Sequence, residues 1–180
     1  ILVTMFGWNF WLALVPALLT VVLLALFVGT ICFRFKLKEF YFAVVTMAFS
    51  EVLRLITVNW YSVTNGSLGI TVVERPTVWT PWGSFAISSG VEWYYLTLVL
   101  LVVIYVICRR ILTSWIGRCL AAIRLNDQLG ETLGINVFKY KLLSFSIGSA
   151  LSGLVGAFYG FFSGFVEPHY FSIPLSLDII

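Results

Sequence analysis

Charged residues are scarce in this chain of 180 residues: only 11% are Asp, Glu, Lys or Arg, while 61% are hydrophobic. Soluble globular proteins have about 25% charged residues. Because so few charges are left to face water, a soluble enzyme is excluded. The basic residues flank apolar runs and form no stripe on a folded module, so the net charge of +3 does not indicate a nucleic-acid binder. The composition is that of a membrane protein.

Side chains for metal binding and catalysis are also scarce. His169 is the only histidine, and no Cys or acidic cluster accompanies it at metal-ligand spacing. Cys32, Cys108 and Cys119 form no Cys-x-x-Cys pair, and no disulfide is expected because all three lie toward the predicted cytoplasmic side. There is no glycine-rich P-loop to cradle nucleotide phosphates. We therefore expect no cofactor and no enzymatic activity, and any ATP-driven step needs another polypeptide.

Four long apolar runs are present, and they predict transmembrane helices. A helix needs about 20 apolar residues to cross a hydrocarbon core about 30 Å thick. The runs are residues 8–33, 40–61, 93–112 and 142–165. They predict an all-α, polytopic helical bundle that forms one transmembrane domain over residues 1–180. The chain begins without methionine and ends as a further apolar run opens, so we expect it to be a section of a longer polypeptide.

The basic residues predict how these helices are oriented. Cytoplasmic loops of membrane proteins carry an excess of Lys and Arg. Residues 62–92 hold only Arg75, which places them outside, whereas residues 113–141 and the first connection are rich in basic residues, which places them in the cytoplasm. The basic residues of the inner connections are Arg34, Lys36, Lys38, Arg109, Arg110, Arg118, Arg124, Lys139 and Lys141. Trp60 and Trp93 fall at predicted outer ends, as expected for the headgroup layer.

Two charged residues lie inside the second apolar run. Glu51 and Arg54 fall about midway through the bilayer, and their spacing of three places them on one helical face. An isolated charge at this depth costs about 2.5–3.5 kcal/mol, so the two must pair or face a polar interior. Thr46, Ser50 and Thr57 extend a polar strip along the same side. The pair is either part of a substrate pathway or gate, or a structural ion pair that orients the helix.

A glycine-rich turn follows the second run, from Thr64 through Asn65 and Gly66 to Gly69. Asn-Gly favours a tight turn with positive φ, and Gly69 adds a second permissive position. Backbone groups here either face a polar ligand or simply reverse the chain. We place Thr64, Asn65 and Gly66 with the midplane pair as candidates for the translocation path or gate.

Small residues recur at every fourth position of the fourth run. They are Gly148, Ser152, Gly156, Gly160 and Gly164. Small-xxx-small spacing allows another helix to approach closely in a membrane, which predicts that this helix packs against protein. The seam is either a moving wall of a transport path or a static packing surface.

The connection between the third and fourth runs predicts two short helices with a break between them. Asn126 and Asp127 suit the N-terminal cap of the second helix, and Gly134 suits the position just after its C-terminus. Asp127 and Glu131 leave this helix acidic at its N-terminal end, where the helix dipole favours negative charge. A compact amphipathic helix of this kind is suited to insert into a groove on a soluble partner, and the alternative is a helix lying on the headgroups.

Blocks of sequence from Phe40 to Ser176 share a pattern with a known family. The blocks are Phe40 to Arg54, Thr64 to Ile70, Gly117 to Asp127, Gly134 to Asn136, Lys141 to Phe145 and Gly153 to Gly160, with Pro168 and Phe171 beyond. In this order they resemble the inner-membrane permeases of the leucine, isoleucine and valine ABC transporters. Residues before Arg34 match only as an apolar span.

The resemblance implies an all-helical permease subunit of the bacterial cytoplasmic membrane. Such a subunit pairs with a second, related permease, with cytoplasmic ABC ATPases and with a periplasmic or extracellular substrate-binding protein. The implied cargo is a branched-chain or other hydrophobic amino acid. The same broad family also resembles carriers of urea and short amides, which is the second choice of substrate.

The resemblance also implies a coupling loop from Asp127 to Gly134. Gly134 stands at the family's loop glycine and Glu131 in its acidic position, while Arg118 and Asn126 belong to the block that leads into the loop. Where other ABC importers have Glu-Ala-Ala, this chain has Gln-Leu-Gly. Closure of the ATPase dimer would push the loop and rock the spans between inward and outward access.

Two further classes of protein remain as alternatives. One is a secondary transporter or channel driven by an ion gradient, with Glu51 as its protonation site. Such a carrier has no need of the segment from Arg118 to Gly134. The other is a purely structural anchor, which explains neither that segment nor the midplane charges.

Overall fold

A computed structural model of the chain describes residues 7, 9–35, 39–72, 77–80, 83–86 and 89–168. In chain order the elements are α1 (Phe10–Arg34), α2 (Glu39–Asn59), α3 (Tyr61–Thr64), a 3-10 turn (Gly66–Leu68), β1 (Ile70–Thr71), β2 (Thr77–Thr80), β3 (Gly83–Ala86), α4 (Gly90–Thr113), α5 (Trp115–Leu125), α6 (Asp127–Thr132), α7 (Val137–Ser163) and β4 (Phe165–Val166).

Four helices, α1, α2, α4 and α7, are long and apolar enough to cross a membrane. The predicted polytopic helical bundle is therefore confirmed. Two of these helices start earlier than the apolar pattern alone indicates. The α4 helix starts at Gly90 because Ser89 and Glu92 form a reciprocal capping box. The α7 helix starts at Val137 because the Asn136 side chain accepts a hydrogen bond from the Lys139 amide at 3.1 Å.

The core lies where α1 and α7 pack against each other in antiparallel directions. At one end, a methyl group added to Gly29 would approach the Leu142 side chain to 2.8 Å. Further along, a methyl group added to Gly153 would lie 3.0 Å from Val21. The two glycines thus permit the close approach of helix backbones that stabilises packing in lipid. The buried hydrophobic residues of α1 are Phe10, Ala13, Ala25, Val28 and Cys32.

Aromatic rings join the other long helices to this core. Phe42 of α2 stacks on Phe33 of α1 with ring centroids 5.3 Å apart, and its edge meets Phe145 of α7 at 5.5 Å. At the opposite end, Trp93 of α4 lies 5.6 Å from Phe162 of α7. Aromatic pairs at these separations add about 0.5–1.5 kcal/mol each to the stability gained from burial.

The two ends of the bundle carry different structures. The end that holds α5 and α6 is called the inner end here, and it includes Arg34, Arg110 and Lys141. At the opposite, outer end, β1 pairs antiparallel with β4, so that Ile70 lies opposite Val166. The β2 and β3 strands form a separate hairpin. These short strands were not predicted, because pairings of only two to four residues leave little alternating pattern in the sequence.

Some predicted features lie outside the described residues. They are Trp8, Lys36, Lys38, Arg75, His169, Phe171 and Ser176. Among the described basic residues, Arg118 and Arg124 of α5 lie at the same end of the bundle as Arg34. The cytoplasmic placement of this end stays a prediction.

Candidate translocation path and coupling segment

Glu51 and Arg54 form an ion pair on α2. The Arg54 Nε donates to both Glu51 carboxylate oxygens at 3.0 Å, and Nη2 donates to Oε1 as well. Each side chain keeps about a quarter of its surface exposed, 27% for Glu51 and 26% for Arg54. The two opposite charges therefore compensate each other at i,i+3 spacing, as expected for charged residues within an apolar helix.

The hydroxyl groups near this pair donate their hydrogens to backbone carbonyls. Thr46 donates to the Ala43 carbonyl at 2.9 Å, and Thr57 donates to the Leu53 carbonyl at 2.8 Å. A hydroxyl that donates in this way keeps its oxygen lone pairs available as acceptors. The polar strip therefore presents acceptor oxygens on the surface of α2.

The outer turn adopts the predicted left-handed conformations. Asn65 has φ 60°, Gly66 φ 60° and Gly69 φ 72°, which confirms the predicted turn. The Asn65 Nδ2 donates to the Gly69 carbonyl at 3.3 Å, and the Thr64 hydroxyl donates to the Trp60 carbonyl at 2.8 Å. These bonds fix the turn from within, using the side chain type that tolerates positive φ best after glycine.

The outer turn docks on the end of α7. The Val72 amide donates to the Gly164 carbonyl at 2.8 Å, next to the β1–β4 pairing. A methyl group added to Gly69 would lie only 2.6 Å from the Val166 carbonyl oxygen. The backbones of the turn and of β4 can meet here because residue 69 has no side chain.

We expect Gly69→Ala to open this outer junction. At φ 72° and ψ −178°, Gly69 lies in a region nearly exclusive to glycine, where alanine costs about 1–3 kcal/mol, and the contact with Val166 adds to that cost. Gly134→Ala is the matched control, because Gly134 also has positive φ (77°) and an added methyl group there would meet no atom within 4 Å among the described residues. Thermal unfolding of the detergent-solubilised protein should show a larger drop in melting temperature for Gly69→Ala than for Gly134→Ala. Equal drops in the two variants would contradict the close approach of Gly69 to Val166.

A cavity of about 600 Å³ lies beneath the outer turn, between α1 and α7. Thr64 and Thr57 line it, which places one predicted path residue and one residue of the polar strip at the same opening. Asn65, Gly66, Glu51 and Arg54 are not among its lining residues. The structure thus separates the midplane pair from the outer cavity. Apolar residues and glycines line most of it. Sequence reasoning named Gly69, Gly156 and Gly160 for a turn and for helix packing, but it did not predict that they share a cavity.

The segment from Asp127 to Gly134, which the resemblance implies is a coupling loop and which keeps that name below, has the predicted local structure. The Asn126 Oδ1 accepts from the Gln128 amide at 2.9 Å, which confirms the N-terminal cap. At the other end, the Gly134 amide donates to the Glu131 carbonyl and the Ile135 amide donates to the Gly130 carbonyl, both at 3.0 Å. Together with φ 77° at Gly134, these two bonds form a Schellman motif.

The coupling loop is attached to α7. Lys141 Nζ lies 2.5 Å from Asp127 Oδ2. Gly130 is buried, and a methyl group there would lie 3.3 Å from Ile123 and 3.4 Å from Val137. The loop therefore packs on both α5 and the start of α7. The rest of its surface is exposed, and Leu133 has an exposed fraction of 66%.

A sharp bend at Ser114 connects α4 to α5. The Ser114 hydroxyl accepts from the Gly117 amide at 3.5 Å, and the Ser114 amide donates to the Ile111 carbonyl at 3.1 Å. A methyl group added to Gly117 would lie 2.1 Å from the Leu112 carbonyl oxygen. Arg118 lies next to this bend, over the Trp115 ring at 5.3 Å. The resemblance included Gly117 among the matching residues, but only the fold reveals its tight contact with the Leu112 backbone.

The small-residue stripe of α7 has no common role within the described residues. A methyl group added to Gly148 or Gly156 would meet no atom within 4 Å, and Ser152 is exposed. Gly160 lies near Val166, and Gly164 ends α7 with φ 68°. The close approach to α1 uses other glycines, so packing of the stripe against another helix stays a prediction.

We expect Glu51→Gln to reduce both assembly and transport, because it leaves the Arg54 charge without its partner within an apolar helix. The control is the charge swap Glu51→Arg with Arg54→Glu, which keeps the i,i+3 pair. We expect the swap to restore the yield of assembled protein but not the uptake rate, because a translocation path depends on the position of each charge. Wild-type assembly and uptake in Glu51→Gln would show that the pair is dispensable.

Comparisons with known proteins agree on one family. A family model described as "Branched-chain amino acid transport system / permease component" matches residues 1–180. No solved structure gives a significant match. The four apolar helices and this match together show a multi-pass membrane protein of a transport family.

Three relatives carry names of the same kind. The chain is 27% identical to the "High-affinity branched-chain amino acid transport system permease protein LivM" of Salmonella typhimurium and 26% identical to that of Escherichia coli, over 97% of the chain and 45% of each relative. It is 27% identical to a "Probable branched-chain amino acid transport permease protein LivM" of Methanocaldococcus jannaschii, over 71% of the chain and 36% of the relative. The chain thus spans less than half the length of these relatives. It belongs to the family of permease components of branched-chain amino acid transport systems.

Proposed function

We propose that the chain is the membrane-spanning permease part of an ATP-driven importer for branched-chain or other hydrophobic amino acids in the bacterial cytoplasmic membrane. The observation that carries this proposal is the capped helix of the coupling loop at the inner end of the bundle. Its Schellman ending and its N-terminal cap give it a fixed shape, and its outer surface is exposed. A short rigid helix of this kind fits a groove on a soluble partner.

The attachments of the coupling loop support its role in transmitting force. The loop meets α7 through Lys141 and Asp127, and α5 links it to α4 across the bend at Ser114. A push on the loop would therefore move two spanning helices together. In the proposed mechanism, closure of the ATPase dimer moves these helices and changes which side of the membrane the path opens to.

The proposed partners follow from the family to which the chain belongs. ATP hydrolysis takes place in separate cytoplasmic ABC ATPases, a second and related permease completes the path, and an external binding protein delivers the solute. The exposed apolar residues of α4, such as Leu101 at 65%, suit contact with lipid or with that second permease.

The apolar lining of the outer cavity favours a hydrophobic amino acid over urea or a short amide. Apart from three threonines and Glu167, the cavity is lined by hydrophobic residues and glycines. A polar solute without an alkyl group would leave this surface without a partner. Urea is therefore the second candidate substrate.

The test is uptake of labelled leucine into proteoliposomes that contain the full permease, its permease partner, the ATPases and the binding protein. We expect uptake that needs ATP and exceeds uptake of urea. Uptake of urea but not leucine would reverse the order of substrates. Leucine uptake driven by an ion gradient without the ATPases would instead support the secondary-transporter alternative.

A further inference from the structure

One face of α4 carries an exposed apolar stripe that includes a positive charge near its inner end. Its residues recur at spacings of three or four, so they lie on the same side of the helix, and all of them are exposed. They are Leu98, Leu101, Tyr105, Arg109 and Leu112, called the α4 stripe below. We propose that the α4 stripe binds an anionic phospholipid of the leaflet at the inner end of the bundle, with an acyl chain along its apolar residues and the phosphate group at Arg109.

The length of the α4 stripe matches one leaflet of a bilayer. From Leu98 to Arg109 the helix rises about 16 Å, at about 1.5 Å per residue. Half of a hydrocarbon core about 30 Å thick is about 15 Å. Just beyond the end of α4, Trp115 begins α5 and is 66% exposed, and tryptophan favours the headgroup layer. The apolar residues therefore lie at the depth of an acyl chain, and the Arg109 guanidinium lies at the depth of a phosphate group.

The Arg109 guanidinium is available to bind a phosphate group. Among the described residues no acidic side chain pairs with it, and Glu92 of the same helix lies at the outer end. The Thr113 hydroxyl donates to the Arg109 backbone carbonyl at 3.0 Å, and this bond uses none of the guanidinium hydrogens. A guanidinium has a planar fork of N–H donors, which binds two phosphate oxygens at once. Tyr105, one turn deeper and 60% exposed, adds a hydroxyl to the same face.

The charge at this end of the bundle favours an anionic headgroup over a zwitterionic one. Arg109 shares the inner end with Arg34, Arg110, Arg118 and other basic residues. Clusters of basic residues beside a membrane-spanning helix attract anionic lipids. Phosphatidylethanolamine carries its own ammonium group, which would be repelled by these residues, whereas phosphatidylglycerol carries only the negative phosphate. Phosphatidylglycerol is therefore the better match in charge.

The composition of α4 favours a lipid over a second helix as the occupant of the stripe. Close packing of helices in membranes uses small residues, which let the backbones approach. After Gly90, α4 contains neither glycine nor alanine, whereas α7 contains several of each. A helix packed on the stripe would also cover Arg109, and burial of an unpaired charge is unfavourable. A flexible acyl chain can fill the spaces between large side chains, and its headgroup supplies the charge partner.

The first experiment measures contact between the lipid and the α4 stripe. The probe is phosphatidylglycerol with a photoactivatable acyl chain, in phosphatidylethanolamine vesicles that contain the complete transporter, and peptide mass spectrometry locates the label. We expect label on Leu101 and Tyr105, and we expect Arg109→Gln to reduce it by about tenfold, which is the loss expected when a charged hydrogen bond is removed.

Arg110→Gln is the matched control for this change. Arg110 is exposed and adjacent, and its loss removes the same charge, but it lies about 100° further round the helix. Labelling of the stripe should stay within about twofold of wild type. A second pair of variants keeps the charge that helps to orient α4: Arg109→Lys should lower labelling severalfold, because an ammonium group cannot bind phosphate through a planar fork, and Arg110→Lys should not.

The second experiment tests the headgroup. The same photoactivatable acyl chain on phosphatidylethanolamine should label the α4 stripe of the wild-type transporter about tenfold less than it does on phosphatidylglycerol. Arg109→Gln should remove most of this difference, because the difference depends on the charge at Arg109. Equal labelling by the two probes in the wild-type transporter would overturn the assignment of an anionic lipid.

The remaining outcomes separate this inference from its alternatives and from the proposed function. Equal losses of label in the Arg109 and Arg110 variants would overturn a specific site, because they would indicate a general effect of positive charge. A photo-cross-linking residue at Leu101 that forms an adduct with the second permease, and none with lipid, would overturn it in favour of a protein partner. Labelling requires no transport, so absence of leucine uptake in the wild-type transporter would contradict the proposed function alone.

Discussion

Gly134→Pro is expected to abolish ATP-driven leucine uptake while the chain still inserts into the membrane. Gly134 has φ 77°, whereas proline fixes φ near −65°. Proline also lacks the amide hydrogen that Gly134 donates to the Glu131 carbonyl at 3.0 Å. Loss of both features costs about 3 kcal/mol or more and removes the Schellman ending of the coupling loop. The measurement is uptake in proteoliposomes, with insertion checked by extraction from membranes.

Glu131→Lys tests the same loop without altering its backbone. It replaces a negative charge on this exposed helix by a positive one, and we expect it to disrupt the contact with the ATPase. Thr132→Ser, on the same exposed surface, is the conservative control and should keep uptake near the wild-type rate. Unchanged uptake in both Gly134→Pro and Glu131→Lys would remove the coupling assignment.

Gly117→Ala is also expected to cause a large loss of ATP-driven leucine uptake, because it distorts the bend between α4 and α5 that precedes the coupling loop. The added methyl group would lie 2.1 Å from the Leu112 carbonyl oxygen and 2.6 Å from the Ile111 carbonyl oxygen. Both are backbone atoms, so the bend itself must open, and the cost exceeds the roughly 1–3 kcal/mol of an overpacked core. Opening the bend would move α5 and the coupling loop away from α7. We therefore expect uptake to fall at least tenfold.

Gly90→Ala is the matched control for this change. Gly90 is also a glycine within a helix, and an added methyl group there would meet no atom within 4 Å among the described residues. It should keep normal uptake, because alanine favours a helix over glycine. In Gly117→Ala, but not in the control, the segment from Trp115 to Gly134 should become more accessible to protease. Wild-type uptake and accessibility in that variant would show that the bend does not position the loop.

The parts of the fold that were predictable from the sequence are those with local causes. The four spans follow from apolar length, and the coupling loop follows from capping residues such as Asn126 and Gly134, which act within one turn of helix. The turn at Asn65 and Gly66 likewise depends on conformational preferences of those residues alone. Each of these features requires no knowledge of distant contacts.

The parts that were missed depend on contacts between distant segments. The seam between α1 and α7 uses Gly153, which lies beside the regular stripe that begins at Gly148, and Gly29 of α1, which the sequence pattern did not indicate. Periodicity shows that a helix can pack closely but does not show which face a partner takes. The outer cavity was missed for a similar reason, since its lining combines α1, α7 and the outer turn.

The central claim is that the coupling loop transmits force from an ATPase, and site-specific photo-cross-linking in the complete transporter tests it most directly. A cross-linking residue at Gln128, which is exposed on α6, should form a covalent adduct with the ATPase subunit, and the yield should change when ATP is bound. The same residue at Tyr95, exposed at the outer end of α4, should form none. An absence of ATPase adducts from Gln128 in a transporter that imports leucine would contradict the account.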